Sequence, residues 1–438
     1  MINTIKTMDK SLYILFLGVL LTHLGSFLVI PILPIMLRES VGLSLSTIGG
    51  VLASYAIAFQ FGSILGGFLA DRLGRRTVIS GGAFIAAIGF VSIGLFDTYL
   101  PVLFSVATAG LGNGLNAPST KAAIASIASK ENQTTAFSFR GIAANIGTGT
   151  AGLIVFFLIT GSPKIVYWIA GITYLVITVL SWIFVPKGCG EEECKPVPLG
   201  AYKEVFSNKP FVIFGLVSIL IWALYAQLAL ALPIRATDVL ENPGHVALIW
   251  TIKSVTVILL QTIITKHIIS RVHPLFALFI GILLIGGGVG FLYFANSFIG
   301  LAISGTIFVL GEMLLLPTMD STISQLSKAN LIGIFFGLAN VVSGLGEATG
   351  HFLGGRLLDL GTNSYIPWIT YAIASLLIGG VVLLLIRWKP MQDSLISAAK
   401  QKDKPKEAPR VNPGPPNHQS LPLNRWEEEI FFRRKSPT

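Results

Sequence analysis

From residue 67 the chain reads Gly67-Phe68-Leu69-Ala70-Asp71-Arg72-Leu73-Gly74-Arg75-Arg76, between two long apolar blocks at residues 45–70 and 77–95. Each block is close to the roughly 20 residues that a helix needs to cross the hydrocarbon core of a bilayer. Four of the ten quoted residues are charged, which favours a position in water. The sequence therefore predicts two transmembrane helices joined by a short charged turn.

Apolar blocks of this kind cover most of the chain. Of its 438 residues, 53% are hydrophobic and 12% are charged, and the mean hydropathy is +0.75. A soluble domain carries about 25% charged residues, so the composition excludes that class. We predict an all-α membrane protein with twelve transmembrane helices, at residues 12–37, 45–70, 77–95, 100–127, 137–160, 165–185, 211–234, 246–265, 275–293, 299–326, 332–355 and 364–386.

Polar segments divide the chain into two six-helix halves. The predicted domains are an N-terminal half at 1–186, a cytoplasmic loop at 187–210, a C-terminal half at 211–388 and a disordered basic tail at 389–438. The loop contains Cys189 and Cys194 with three glutamates between them. A lone cysteine pair in a reducing compartment is usually just reduced, so we predict no metal site. The aromatic and basic end of the tail, 426–435, suits either a membrane surface or a frayed end.

The orientation follows from the lysines and arginines of the loops, which favour the cytoplasmic side. Thirteen lie on the side of the N-terminus: Lys6, Lys10, Arg72, Arg75, Arg76, Lys130, Lys187, Lys195, Lys203, Lys209, Lys266, Arg271 and Lys328. Four lie on the opposite side: Arg38, Lys164, Arg235 and Arg356. We therefore expect a multi-pass protein of the inner (cytoplasmic) membrane with both termini in the cytoplasm. The net charge of +10 needs no nucleic acid partner to explain it.

An internal repeat relates the two halves. An offset of 199 residues pairs Leu33-Pro34 with Leu232-Pro233, Arg72 with Arg271, Gly82 with Gly281, Gly112 with Gly311, Pro118 with Pro317 and Gly147 with Gly346. The matches are sparse but fall at corresponding points of the predicted helices. Parallel repeats of six helices place a solute site near the middle of the bilayer, between halves that move relative to each other.

The turn at 67–76 resembles the signature loop of the major facilitator superfamily, G-x-L-A-D-R-x-G-R-R, at every position. The matching residues are Gly67, Asp71, Arg72, Gly74, Arg75 and Arg76. The resemblance implies the major facilitator fold and a loop that holds the two halves together on the cytoplasmic side when the carrier opens outward. The alternative is that the arginines are topology signals only.

Other motifs are similar to those of bacterial twelve-helix drug exporters of the proton antiporter type. These motifs are Gly25 with Pro31 and Pro34 in helix one, and Gly110-Leu111-Gly112 with Pro118 in helix four. The chain departs from that pattern at Val106, where such exporters have arginine, and in helix five, where their Gly-Pro is absent. Proton coupling is therefore expected at other buried ionisable groups.

Three carboxylates are candidates for proton coupling: Glu312, Glu347 and Asp320. The segment around Glu312, from Gly311 to Pro317, is similar to that of some multidrug exporters, in which this glutamate takes part in protonation. The alternative for each glutamate is a structural contact with a neighbouring helix. Glu347 lies on a helix with small residues spaced by four, a pattern that favours close helix packing.

Further interior side chains are candidates for the gate and the substrate cavity. Lys121 and Asp320 are equivalent in the repeat and carry opposite charges, which predicts a gate pair between the halves. Lys253 is a further interior cation, able to neutralise an embedded acid or hold an anionic solute. The predicted cavity residues are Asn116, Arg140, Trp222, Tyr225 and Gln227.

The sequence contains no nucleotide-binding loop, no H-E-x-x-H motif and no paired C-x-x-C motifs, so we expect neither enzyme activity nor a cofactor. The expected function is proton-coupled export of small amphipathic compounds by alternating access. The expected partners are a small-molecule substrate, protons and the lipid bilayer, with the monomer as the functional unit. A lipid or nutrient transporter on the same fold and a non-transporting sensor are the alternatives.

Overall fold

The computed structural model describes residues 10–127, 133–158, 164–186, 204–269, 271–327 and 331–402, and the regular elements in these ranges are helices. The α-helices are α1 Lys10–Val29, α2 Leu33–Glu39, α3 Leu45–Leu73, α4 Arg75–Leu95, α5 Tyr99–Ile127, α6 Gln133–Leu158, α7 Ile165–Phe184, α8 Lys209–Tyr225, α9 Gln227–Val239, α10 Leu248–Ile264, α11 Pro274–Phe291, α12 Phe298–Leu326, α13 Ile332–Leu358, α14 Ile366–Arg387 and α15 Lys389–Lys402. The predicted loop cysteines, Cys189 and Cys194, and the end of the tail lie outside these ranges.

Ten segments of the described chain are long and apolar enough to cross a membrane. They confirm the prediction of an all-helical protein with several membrane-length helices, and the number of twelve stays a prediction. Helices also lie at the predicted fourth and eleventh spans, where α5 has 29 residues and α13 has 27. These two helices are not among the ten, and both contain glycine, serine, threonine and asparagine.

Two predicted spans are each divided into two helices. In the first span, α1 ends at Val29 and α2 begins at Leu33, with Pro31 in the intervening turn. Proline has no backbone N–H for the helical ladder and its ring clashes with the preceding turn. In the seventh span, α8 and α9 are separated at Ala226, where the Gln227 amide donates to the Ala223 carbonyl at 2.9 Å. The apolar pattern is continuous across both breaks, so hydropathy did not predict them.

The packing of the helices follows the internal repeat. Gly82 of α4 faces Gly112 of α5, and a Cβ added to Gly82 would lie 2.8 Å from the Gly112 carbonyl oxygen. At the offset of 199 residues, a Cβ added to Gly281 of α11 would lie 3.0 Å from the Gly311 carbonyl oxygen on α12. These glycines permit the backbones to approach closely. The same helix pair is therefore packed in the same way in each half.

The two halves meet at one end of the bundle, which we name the closed end. Arg38 forms an ion pair of 3.1 Å with Asp238 and donates to the Thr237 hydroxyl at 2.6 Å. The Asp359 carboxylate accepts from the backbone N–H groups of Leu45 and Ser46 at 3.0 and 3.1 Å. A carboxylate at the N-terminus of a helix, here α3, is favoured by the unpaired N–H groups and the helix dipole.

Small residues extend the contact between the halves from the closed end along two helix pairs. Between α3 and α13, a side chain on Gly49 would overlap the His351 carbonyl. Between α6 and α10, the Thr251 hydroxyl donates to the Gly149 carbonyl at 2.8 Å, and a side chain on Gly152 would overlap Ala247. Each pair joins one helix of the first half to one helix of the second.

The start of the predicted tail corrects one expectation. Residues from 389 were predicted to be disordered, but Lys389–Lys402 form helix α15. Met391 and Leu395 are buried in the main hydrophobic cluster. Burial of these two apolar side chains stabilises the helix, which the polar composition of the tail did not predict. The prediction of disorder is therefore wrong for this segment, and residues 403–438 lie beyond the described part of the chain.

Candidate functional site

A cavity of about 220 Å³ lies between the halves. Its wall includes Lys121 from α5 of the first half, and side chains of α8, α12 and α13 of the second half. Aromatic residues of this wall include Phe214, Trp222 and Phe336. The polar ones include Ser218, Asp320, Asn340 and Ser343. A mostly apolar concave wall with a few polar groups is typical of small-molecule sites.

The predicted gate pair is brought to this cavity. Lys121 and Asp320 both line it, one from each half, and their side chains are exposed to it. They are close enough to interact electrostatically but are not within ion-pair distance in this arrangement. Two opposite charges therefore face one space from equivalent positions of the repeat.

Glu312 of α12 pairs with Lys253 of α10. The Lys253 Nζ lies 2.7 Å from the Glu312 Oε2, and the two side chains are 13% and 9% exposed. Charged groups inside a membrane protein are costly unless they are paired or hydrated. The sequence left two roles open for Lys253, neutralising an embedded acid or holding an anionic solute. The ion pair with Glu312 agrees with the first of these.

Aromatic side chains surround this ion pair. Tyr225 lies close enough to Glu312 to interact with it electrostatically, and the Trp222 ring lies 5.1 Å from the Tyr225 ring in an edge-to-face arrangement. Phe308 lies on another side of Tyr225, with the ring centres 5.5 Å apart. Trp222 also lines the cavity. Aromatic rings therefore extend from the cavity wall at Trp222 to the neighbourhood of the ion pair.

Glu347 of α13 is half-buried, and the structure gives its carboxylate no hydrogen bond or ion pair with another described residue. It interacts electrostatically with Tyr55 of the first half and with Tyr225 of the second. Glu347 thus lies at the interface of the halves, near the groups around Glu312.

Arg140 of α6 lies close enough to Lys121 for the two positive charges to repel each other. It also acts electrostatically on His23 of α1, as do Lys121 and Lys253. The Arg140 Nε is buried without a hydrogen-bond partner. The described residues around the cavity and the Glu312–Lys253 ion pair therefore include three cations, Lys121, Arg140 and Lys253, and three carboxylates, Glu312, Asp320 and Glu347.

Of the five predicted cavity residues, Trp222 lines this cavity, and Asn116, Arg140, Tyr225 and Gln227 do not. Asn116 is 3% exposed and donates to the Ile79 carbonyl at 3.1 Å, so it packs between α4 and α5 and does not line the cavity. Gln227 is 2% exposed and donates to the Ala223 and Gly350 carbonyls, each at 2.9 Å. Each amide satisfies backbone acceptors where helices approach or break, because an unpaired polar group there is costly.

A polar network in the first half was not predicted. The Asn113 amide donates to Ser26 at 3.1 Å and to the Tyr55 hydroxyl at 2.8 Å, and its oxygen accepts from Tyr174. The network joins α1, α3, α5 and α7. Asn113 lies between two glycines in an otherwise apolar segment, and this signal in the sequence could have pointed to a buried polar contact.

The turn at 67–76 is tight. Helix α3 ends at Leu73 and α4 begins at Arg75, so Gly74 alone joins them, with a φ of +84° that favours glycine. The Arg72 guanidinium lies 4.1 Å from the Phe68 ring centre, and that of Arg76 lies 4.8 Å from the Trp182 ring centre. Both arginines thus bind aromatic rings of their own half. The side chain of Asp71 is not among those described.

Sequence comparison assigns the family. The profile of the Major Facilitator Superfamily matches residues 15–351. The chain belongs to the Major Facilitator Superfamily. Multidrug resistance protein MdtH of Aeromonas hydrophila subsp. hydrophila is 24% identical over 375 residues, which cover 85% of this chain and 94% of that protein. MdtH of Salmonella arizonae is 25% identical over 389 residues, covering 86% and 93%.

Solved structures of transporters share the fold. A POT family transporter in complex with 5-aminolevulinic acid has a TM-score of 0.74 at 16% identity, covering 86% of this chain and 96% of that chain. The nucleoside transporter NupG has a TM-score of 0.70 at 15% identity, covering 87% and 100%. These relatives and neighbours are membrane transporters and not enzymes. The chain is therefore a multi-pass membrane transporter of this superfamily.

Proposed function

We propose that the protein exports small amphipathic compounds in exchange for protons. The observation that carries the proposal is the interior ion pair of Glu312 and Lys253 behind an aromatic cavity wall. A proton that binds Glu312 removes the charge that holds Lys253, and loss of the proton restores the pair. Proton binding and the electrostatics of the cavity wall are thereby linked. The names of the MdtH relatives support export of drug-like compounds.

The two halves alternate in access to the cavity. In the arrangement described, they are joined at the closed end by Arg38, Asp238 and Asp359. To open there, the halves rotate and these contacts separate. Lys121 and Asp320 then approach each other as a gate pair at the other end. Asp71, Arg72, Arg75 and Arg76 hold that end closed, with Gly67 and Gly74 shaping the turn.

The twelve predicted helices all span the membrane in this proposal, including α5 and α13. Both are long enough to cross the bilayer, and both present polar groups to the interior of the bundle. The termini and the turn at 67–76 lie in the cytoplasm, the closed end lies outside, and a monomer carries out transport. Glu347 and Asp320 remain secondary candidates for the proton site.

Transport into everted membrane vesicles tests the function. With an acidic lumen, we expect at least one compound from a panel of amphipathic dyes and antibiotics to accumulate and to discharge the pH gradient. Vesicles from cells without the protein are the control. Accumulation that survives collapse of the pH gradient would exclude proton exchange. Absence of flux for the whole panel would favour a non-transporting sensor.

Nutrient uptake on the same scaffold is the second candidate. Ser218, Asn340 and Ser343 give the cavity hydrogen-bonding groups that suit a polar metabolite, and the neighbours include a nucleoside transporter. Flux in right-side-out vesicles with an external acid pulse distinguishes the two directions, because proton-driven uptake would then be inward.

The proposed topology predicts the reactivity of Cys189. If thirteen loop cations face the cytoplasm against four outside, this thiol lies inside and should resist a membrane-impermeant maleimide in intact cells. Permeabilised cells provide the positive control, and Cys194→Ser removes the second thiol from the measurement. Rapid labelling in intact cells would reverse the orientation.

A further inference from the structure

The cavity wall carries two opposite charges, one from each half. Lys121 faces it from the first half, with Arg140 close behind, and Asp320 faces it from the second half. Lys121 and Asp320 are both exposed to the cavity and do not form an ion pair across it. The wall therefore offers a solute one cationic and one anionic side chain, neither of them paired with the other.

The remainder of the wall suits a compact apolar body. Phe214, Trp222 and Phe336 present aromatic rings, and Leu316 and Met319 add aliphatic surface. Aromatic faces bind flat or apolar groups with little loss of side-chain entropy. The chemistry of the wall therefore combines an apolar surface with two fixed and opposite charges.

These charges also select against solutes with one charge. A cation that pairs with Asp320 is repelled by Lys121 and Arg140, and an anion that pairs with Lys121 is repelled by Asp320. A neutral apolar solute displaces water from both charged groups and leaves them unpaired, which is costly. A solute with both charges pairs with each side, so the same groups that attract it reject the others.

We propose that the cavity binds a zwitterionic amphipathic compound. Its anionic group, such as a carboxylate, pairs with Lys121, its ammonium group pairs with Asp320, and its apolar body packs on Trp222 and Phe214. The proposal rests on the proposed transport function and specifies the substrate class of that same site. The direct pairing of Lys121 with Asp320 then belongs to the empty carrier when the halves close over the cavity.

Ligand-induced thermal stabilisation of the purified full-length protein tests the charge class. The probes are phenylalanine, tryptophan and naphthylalanine, which are zwitterions. Each is compared with its amide, which keeps only the positive charge, and with its deaminated acid, which keeps only the negative charge. We expect the amino acid of at least one set to raise the unfolding temperature at concentrations about tenfold below those needed for its amide or acid. Preference for the amides, preference for the acids, or no response to any set would overturn the proposal.

Two charge-removing variants locate the site. Lys121→Gln should weaken the response to the amino acid about tenfold and remove its advantage over the amide. Asp320→Asn should remove its advantage over the acid. Lys164→Gln and Asp97→Asn are matched controls, because this exposed pair of 2.8 Å lies outside the cavity. Equal responses in all four variants would place binding elsewhere.

The outcomes remain separable from those of the transport assay. The measurements on the wild-type protein decide by themselves whether zwitterions, cations or anions bind best. The test therefore remains valid even where a variant does not fold. If cationic dyes are exported while no zwitterion stabilises the protein, the substrate class is wrong and the transport function is retained. If zwitterions bind while no panel compound moves, the site stands and the proposed export fails.

Discussion

Glu312→Gln is expected to abolish accumulation driven by a pH gradient while substrate exchange without a gradient continues. The glutamine is uncharged, as protonated glutamate is, so the carrier can still bind and reorient but cannot exchange a proton. The substitution also leaves the Lys253 charge without its partner at 2.7 Å. Removing one member of a buried ion pair costs about 3–5 kcal/mol. We therefore also expect a lower unfolding temperature.

The double variant Lys253→Gln with Glu312→Gln separates coupling from stability. It removes both charges, so much of the lost stability should return. If Glu312 carries the proton, the double variant folds well and still fails to accumulate substrate against a gradient. Exchange and gradient-driven uptake are measured in the same proteoliposomes and normalised to protein. Gradient-driven accumulation in the double variant would transfer the coupling role to Glu347, and then to Asp320.

Gly49→Val is expected to prevent closure of the closed end. A side chain at this position of α3 would overlap the His351 carbonyl on α13, which is backbone and has little freedom to move. Overpacking of this kind costs about 1–3 kcal/mol, and about 1.4 kcal/mol changes a population tenfold. The population closed at this end should therefore fall about tenfold or more, and turnover should fall with it.

Gly50→Val is the matched control for this variant. The neighbouring glycine has open space at its Cβ, and valine costs the helix the same propensity at both positions. In a background without native cysteines, Ala53→Cys reports closure, because Ala53 packs with Ala348 of the other half. Its labelling by an impermeant maleimide should rise in Gly49→Val and stay low in Gly50→Val. Equal labelling would mean that this contact does not control access.

The positions of the helices could be predicted from the sequence because hydrophobic length is a local property. Predicted span six ran from 165 to 185, and α7 is Ile165–Phe184. The breaks at Pro31 and Ala226 were missed because hydropathy averages over them. The helix at Lys389–Lys402 was missed because its stability comes from two buried side chains, Met391 and Leu395, and not from its overall composition.

The residues that bear charge could be identified from the sequence, but their partners could not. A helix inside a bundle is apolar on several faces, so periodicity does not show which neighbour a side chain meets. Asn116 and Asn113 are three residues apart on α5, yet the first packs against α4 and the second bonds to Ser26 and Tyr55. The pairing of Glu312 with Lys253 likewise depends on how α10 and α12 pack.

The three cations and three carboxylates around the cavity and the Glu312–Lys253 ion pair have a consequence for the electrical behaviour of the carrier. Lys121, Arg140 and Lys253 balance Glu312, Asp320 and Glu347, so these six charges sum to zero. An elementary charge that crosses a potential of 100 mV changes in free energy by about 2.3 kcal/mol. With these six charges balanced, the membrane voltage should act mainly on the bound proton. A zwitterionic substrate adds no net charge. The bound proton would therefore carry the net charge that crosses the membrane in each transport cycle.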